Sequence, residues 1–315
     1  MHVLPLVAFL PLILGTISSA QSALSKAETA LDVLQTWYNG STGIWDTSGW
    51  WNGANCITTD GSYDDDSWWA LAWIAAYDVT KNQDYLDLAI GIFDHLTNNG
   101  PTTCSRGGIY LDDNHNYVNA ITNELFQSVA AHLANRVPNK EKYVGWARRQ
   151  WKWFQISRMI NDQGIINDGL TDCKNSGQPI WSYNQGVILG GLVELDRAAP
   201  DPSYLKAASS IAKAAIETLA DSNDVIHDTC EPKICDANAR QFKGIFIRNL
   251  SLLHRVSHND EYVKVIRAYA ESIWTHGRNS TNNQLGVGWA GPITIVDAST
   301  HSSAMDALIA AIAIT

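Results

Sequence analysis

Tyr63-Asp64-Asp65-Asp66-Ser67-Trp68-Trp69-Ala70-Leu71-Ala72-Trp73-Ile74-Ala75-Ala76 runs three consecutive carboxylates straight into a stretch that is apolar almost all round. A helix with no polar face has to be buried, so the stretch reads as an inner helix of a larger helical assembly. Gly186-Val187-Ile188-Leu189-Gly190-Gly191-Leu192 has the same small, apolar character farther along the chain. Between and after these stretches a period appears. Tyr85-Leu86-Asp87-Leu88-Ala89, Tyr143-Val144-Gly145-Trp146-Ala147, Tyr204-Leu205-Lys206-Ala207-Ala208 and Tyr262-Val263-Lys264-Val265-Ile266 open helices at intervals of 58, 61 and 58 residues. Each is preceded by a turn signal such as Pro200-Asp201-Pro202-Ser203 or His258-Asn259-Asp260.

Each period holds two helices, so the unit is an α-hairpin. The first helices are predicted at about 84–98, 141–158, 203–220 and 260–278, with 23–39 as an earlier counterpart. The second helices are predicted at about 66–80, 117–135, 183–198, 239–257 and 302–314, and their apolar character puts them inside the first. Stacked hairpins with an inner and an outer ring give an open solenoid or a closed all-α toroid. The loops leading from outer to inner helices are long and carry Gly, Trp, Asn and Asp, whereas the returning turns are short. All long loops therefore emerge at one end.

That phase superposes distant segments. Stepping from Asp65 by 58, 61, 58 and 58 residues reaches Asn123, Asn184, Phe242 and Thr300. Around them stand Thr122-Asn123-Glu124, Tyr183-Asn184-Gln185, Gln241-Phe242-Lys243 and Ser299-Thr300-His301. Five inner-helix starts thus turn polar groups toward one mouth. Asn, Ser, Thr and Asp at such places also read simply as helix caps, but Glu124, Gln185, Gln241 and Lys243 go beyond capping and favour a cleft.

The chain has 315 residues, 45% of them hydrophobic, and no charge-run or low-complexity linker, which points to a single domain. A formal charge of −10 and a pI near 5.3 exclude a nucleic-acid partner, which demands clustered basic residues. Residues 1–20 read as a secretory signal: an apolar run from Val3 to Leu14, too short for the roughly 20 residues of a membrane span, then Ser18-Ser19-Ala20 before Gln21. Cleavage after Ala20 leaves residues 21–315 as the mature, extracellular domain. Secretion makes Asn39, Asn249 and Asn279 candidate glycosylation sites, each in an Asn-x-Ser/Thr sequon. It also makes the five cysteines disulfide candidates. Cys230 and Cys235 close a short loop and form the expected pair, while the pairing among Cys56, Cys104 and Cys173 stays open. The C-terminal segment contains Asp306 and lacks the spacer and tail of a lipid-anchor signal, so no membrane anchor is expected. No zinc, phosphate-loop or serine-nucleophile motif stands out.

The acidic run suggests chemistry as well as capping. Adjacent carboxylates in a partly buried place raise one another's pKa, so one tends to keep its proton. Glycoside hydrolysis uses such a split between acid and carboxylate, and tryptophan faces stack on sugar rings. Here the residues resemble a known family. Tyr63-Asp64-Asp65-Asp66-Ser67-Trp68-Trp69, Asn119-Ala120-Ile121-Thr122-Asn123-Glu124-Leu125-Phe126, Trp181-Ser182-Tyr183-Asn184-Gln185-Gly186 and Gln241-Phe242-Lys243-Gly244-Ile245-Phe246 are similar to glycoside hydrolase family 76, the endo-α-1,6-mannanases.

The resemblance implies an (α/α)6 barrel and retaining hydrolysis of α-1,6-linked mannan, with no cofactor and no metal. It implies Asp64 as nucleophile and Asp65 as acid/base, with Asp66 capping the inner helix. Asn123, Glu124, Trp181, Tyr183, Asn184, Gln185, Gln241 and Lys243 are the expected sugar-subsite residues. Five hairpins are legible, and Trp45 to Asn55 or another loop is expected to supply the rest of a sixth. The expected product is a freely secreted, monomeric hydrolase. A mannan transglycosylase using the same intermediate and a non-catalytic mannan-binding protein are the alternatives.

Overall fold

The computed structural model describes residues 10–41, 44–47, 62–231 and 235–314. Ten α-helices are described: α1 (Leu10–Gln35), α2 (Tyr63–Thr80), α3 (Gln83–Leu96), α4 (Ala120–Ala134), α5 (Lys140–Ser157), α6 (Ser182–Ala198), α7 (Pro202–Leu219), α8 (Phe242–Val256), α9 (Asp260–Ser272) and α10 (Ala298–Ala313). A π-helical turn, Ile273–Gly277, extends α9. Two short antiparallel sheets decorate the loops: β1 (Tyr38–Asn39) with β2 (Ile44–Trp45), and β3 (Val118–Asn119), β4 (Gly169–Thr171) and β5 (Lys174–Asn175) in that order. Among the described residues no helix is long and apolar enough to cross a membrane.

The even helices α2, α4, α6, α8 and α10 stand side by side as the inner wall of an all-α toroid of the (α/α)6 class. The odd helices α3, α5, α7 and α9 lie outside them, and α1 packs along α10. Burial separates the two rings. Every residue of α4 except His132 is buried, whereas α3 buries only Leu86, Ala89, Phe93 and Leu96, the single apolar stripe of an amphipathic helix. The inner helices approach closely because small residues meet there. A Cβ on Gly186 of α6 would stand 2.5 Å from the Cα of Phe246 in α8, and one on Gly244 of α8 would stand 2.7 Å from the Cα of Ser303 in α10. The sixth hairpin expected near Trp45–Asn55 falls, beyond Thr47, outside the described residues.

Helix ends follow their caps. Asn82, Asn119, Asp201 and Asn259 accept backbone N–H bonds at the starts of α3, α4, α7 and α9, and Asp297 with Thr300 forms a reciprocal capping box on α10. The long loops start with a tight bridged turn in three units, Ile160 pairing with Ile166, Ala220 with Ile226 and Arg278 with Leu285. Cys230 is bonded to Cys235 within one long loop. Cys104 is bonded to Cys173, tying the α3–α4 loop to the β4–β5 turn; Cys56 lies outside the described residues.

Candidate active site

The mouth of the toroid is built on the N-termini of the inner helices, and the first turn of α2 brings Asp64, Asp65 and Asp66 there. Three carboxylates at this end sit on the positive pole of the helix dipole. Tyr63 fixes their position. Its ring is fully buried, its N–H donates to the Leu111 carbonyl at 2.9 Å, and its hydroxyl donates to Asp113. Burial and then the Asp113 carboxylate push the Tyr63 hydroxyl well above the usual phenol range. With the tyrosine anchored, Asp64 and Asp65 are left half-buried at the rim, whereas Asp66 turns inward and is buried. The Ser62 hydroxyl donates to Asp64 Oδ1 at 2.8 Å.

Across the mouth stands a second acidic group that the sequence reading did not single out. Asp168, half-buried in the β3-facing loop, accepts a 2.6 Å bond from the Tyr117 hydroxyl. Burial raises its carboxyl pKa, and the Tyr117 hydroxyl and the Asn184 amide pull it back in part. A signal for it did exist. Asp168 lies two residues after the bridged Ile166, and Asp228 lies two after the bridged Ile226, so the two loops repeat. Asp228 accepts from Ser182 N at 2.7 Å and Ser182 Oγ at 2.8 Å, capping α6 from a buried position. Burial lifts its pKa to about 6 against the opposing Ser182 bonds and the Lys243 charge. Tyr183 joins these groups: its ring stacks on Phe242 at 3.7 Å, and its hydroxyl is driven far upward by burial, then by Asp168, Asp64, Glu124 and Asp228. Trp181 meets the same Phe242 ring edge-on at 5.4 Å. Tyr183 and Trp181 thus share Phe242 as their support, and Gln241 lines the axial cavity.

Other residues expected at the mouth are buried and bonded within the fold. Asn123 is fully buried; its Oδ1 accepts from Ile109 N at 2.9 Å and its Nδ2 donates to Ile109 O at 3.0 Å. Gln185 does the same to Ile166, at 2.9 and 2.7 Å. On α10 the clamp takes two side chains, His301 Nδ1 accepting from Leu285 N and Thr300 Oγ1 donating to Leu285 O, both at 3.0 Å. Because Nδ1 is an acceptor here, the His301 proton sits on Nε2 and reaches Ala30 O at 2.7 Å. These side chains imitate a β-ladder partner and fasten each long loop to the inner helix it precedes. They spend their polar atoms on backbone, not on a sugar.

Lys243 is likewise enclosed: its Nζ contacts Glu231 at 2.6 Å, donates to Val287 O at 2.7 Å and sits over the Trp289 ring. Burial alone would raise the Glu231 carboxyl, but Lys243 brings it below its ordinary range. Glu124 is fully buried behind the mouth with no hydrogen-bond partner on either oxygen among the described residues, and burial, reinforced by Asp168, raises its pKa well above the ordinary carboxyl range. Asn184, also enclosed, lies near enough to Asp168 to act on its carboxyl, but its amide atoms are buried without a hydrogen-bond partner among the described residues. Asn249 lies inside α8, half-buried, its amide donating to Ile245 O and its side chain lining the axial cavity. Asn39 ends strand β1 and Asn279 follows the bridged Arg278, both half-buried.

Beneath the mouth the inner helices enclose an axial cavity of about 620 Å³, with Trp68, Leu71, Val187, Gln241 and Ile245 on its wall near the helix starts. Among the described residues no cluster of His, Cys, Asp and Glu has the arrangement of a metal site. The chemistry available at the rim is that of carboxylates in unlike surroundings, flanked by aromatic faces.

The family model described as Glycosyl hydrolase family 76 matches residues 45–314. Mannan endo-1,6-alpha-mannosidase DCW1 of Candida albicans is 28% identical over 63% of this chain and 48% of its own length, and DFG5 of the same organism is 24% identical over 69% and 52%. The chain thus spans about half the length of these curated relatives. Among solved structures, an inactive α-1,6-mannanase variant from Salegentibacter, with two successive aspartates replaced by alanine and α-1,6-mannotetrose bound, superposes with a TM-score of 0.82 at 19% identity, covering 92% of this chain and 99% of that one.

Proposed function

This chain belongs to glycosyl hydrolase family 76, and from that premise we propose that it is an endo-acting, retaining α-1,6-mannanase whose chemistry is carried by Asp64 and Asp65. The observation that carries the reading is the first turn of α2: two adjacent carboxylates half-buried at the mouth, beside the Tyr183 ring and opposite Asp168. The Salegentibacter structure, inactive with successive aspartates removed, supports the assignment of the pair.

In the proposed reaction Asp64 attacks the anomeric carbon on the non-reducing side of the cut, forming a mannosyl ester as the glycosidic bond breaks. Asp65, protonated, donates to the departing 6-oxygen. It then takes a proton from water, which attacks the same carbon and releases Asp64. Asp168 and Tyr183 contribute polar atoms and an aromatic face to the bound sugar. The substrate is linear α-1,6-mannan or a manno-oligosaccharide. We also propose that residues 1–20 are removed on secretion, leaving Gln21 as the first residue of a monomeric extracellular domain, glycosylated at Asn39 and Asn279.

The test is the release of reducing ends from linear α-1,6-mannan, with the first product's anomer followed by proton NMR. New reducing ends appearing as the α-anomer are expected. Redistribution of chain lengths without net reducing ends would reassign the reaction to transfer between glycans, and saturable binding without turnover would make the protein a mannan-binding one.

A further inference from the structure

A second cavity, of about 370 Å³, opens on the outer wall between the α3–α4 loop and α5, away from the mouth. That is near the small end of ligand pockets, which run from about 300 to 1,000 Å³. Its walls are apolar: Pro101 and Ile109 from the loop, Phe126 reaching out from the inner helix α4, and Trp146, Trp153 and Ile156 from α5. The walls are preformed. The loop is tied down by the Cys104–Cys173 bond, by Trp153 Nε1 donating to Cys104 O at 2.9 Å, and by Gly107 and Gly108, which lie against the Trp153 ring so closely that any Cβ there would overlap it.

The rim is unusual for so acidic a chain. Arg106, Arg149 and Lys152 all line the cavity and are exposed, and none of the fifteen lining residues is acidic. None of the three cations makes an ion pair or a hydrogen bond among the described residues. Of the eighteen other described Lys and Arg residues nine pair with an acid, as Arg136 does with Asp78 and Glu194 and Lys142 with Asp94. Arg149 is held flat over the Trp146 ring at 4.3 Å, which orients its guanidinium at the edge of the pocket without neutralising it. An apolar pocket that opens to solvent beside three unneutralised cations is complementary to an apolar body with an anionic head.

We propose that this outer-wall pocket binds one molecule of a single-chain anionic amphiphile, its chain among Phe126, Trp146 and Ile156 and its carboxylate or phosphate between Arg106, Arg149 and Lys152. A neutral sugar does not suit it, because few lining atoms can answer hydroxyl groups. The site is separate from the reaction proposed above and stands whether or not that reading holds.

The test is calorimetric titration of the whole chain with decanoate, decanol and decyltrimethylammonium. Decanoate is expected to bind saturably at one equivalent, with decanol at least tenfold weaker and the cation not binding. Arg149→Gln with Lys152→Gln should weaken decanoate at least tenfold and leave decanol unchanged, and Ile156→Glu, at an exposed position, should weaken both. Hydrolysis of mannan should be unaltered in these variants. Failure of decanoate to saturate at one equivalent, equal affinity for decanoate and decanol, or binding only to vesicles containing phosphatidylglycerol would each overturn the proposal, the last by making the rim a membrane-docking surface.

Discussion

The first turn of α2 and the first turns of α4, α6 and α10 occupy the same place in the repeat and do opposite things. In α4, α6 and α10 the polar residues of the first turn face inward, where Asn123, Gln185 and the Thr300–His301 pair each hold the backbone of a preceding loop. In α2 the first residue, Tyr63, reaches instead to the α3–α4 loop through its backbone and hydroxyl, a loop that Asn123 also clamps, and Asp64 and Asp65 stand half-buried at the rim. The lesson is that a helix start rich in polar residues is not by itself a site.

The comparison breaks most sharply at the aspartates. Asp65→Asn is expected to lower kcat on linear α-1,6-mannan by about 10²–10⁴-fold, the usual range for loss of an acid/base group, and Asp64→Asn by at least as much, with thermal midpoints close to wild type. Steady-state rates and thermal melts on the same preparations check this.

At the clamps the effect moves from rate to stability. Asn123→Ala or Gln185→Ala leaves the N–H and C=O of Ile109 or Ile166 buried without partners. At about 1–3 kcal/mol for each unsatisfied group, less what relaxation recovers, the expected loss is about 2–4 kcal/mol, read from urea midpoints. Retention of full stability in both variants would show that the loops are held by something else.

The smallest effect concerns the cap of α6. Asp228 titrates near pH 6 in the folded chain and near 3.8 otherwise. Between those values the folded state holds the proton more tightly, so its contribution is complete below about pH 3.8 and declines as pH rises through 6. Asp228→Asn, which still can accept from Ser182 N, should not share this decline and should gain on wild type by about 2–3 kcal/mol between pH 4 and pH 7. A constant difference between the two proteins over that range would contradict the assignment.

Much of this architecture was legible in the sequence. The spacing of Tyr85, Tyr143, Tyr204 and Tyr262 marked the hairpin period, and the apolar runs at Trp69–Ala76 and Gly186–Leu192 marked the inner wall, because burial on all sides leaves no polar face to hide. The acidic run was legible for the same reason: three adjacent carboxylates are costly and rarely incidental. The direction of side chains was not legible. Periodicity superposes Asn123, Asn184 and Thr300 on Asp65, but whether a polar group turns to the mouth or to a loop depends on backbone groups up to 19 residues away, as with Gln185 and Ile166. Asp168 escaped notice because its carboxylate lies in an irregular loop, where neither helical nor strand periodicity carries information. The pairing of Cys104 with Cys173, 69 residues apart, is equally a matter of tertiary approach.

The central claim is that rate resides in α2 and loop-holding in its counterparts. It is tested most directly by measuring kcat and the urea midpoint side by side for Asp64→Asn, Asp65→Asn and Gln185→Ala on linear α-1,6-mannan. The account predicts a crossed result: the aspartate variants lose turnover and keep their midpoints, whereas Gln185→Ala loses stability and keeps most of its turnover per folded molecule. Turnover surviving in both aspartate variants, or lost in Gln185→Ala while its midpoint is unchanged, would contradict it.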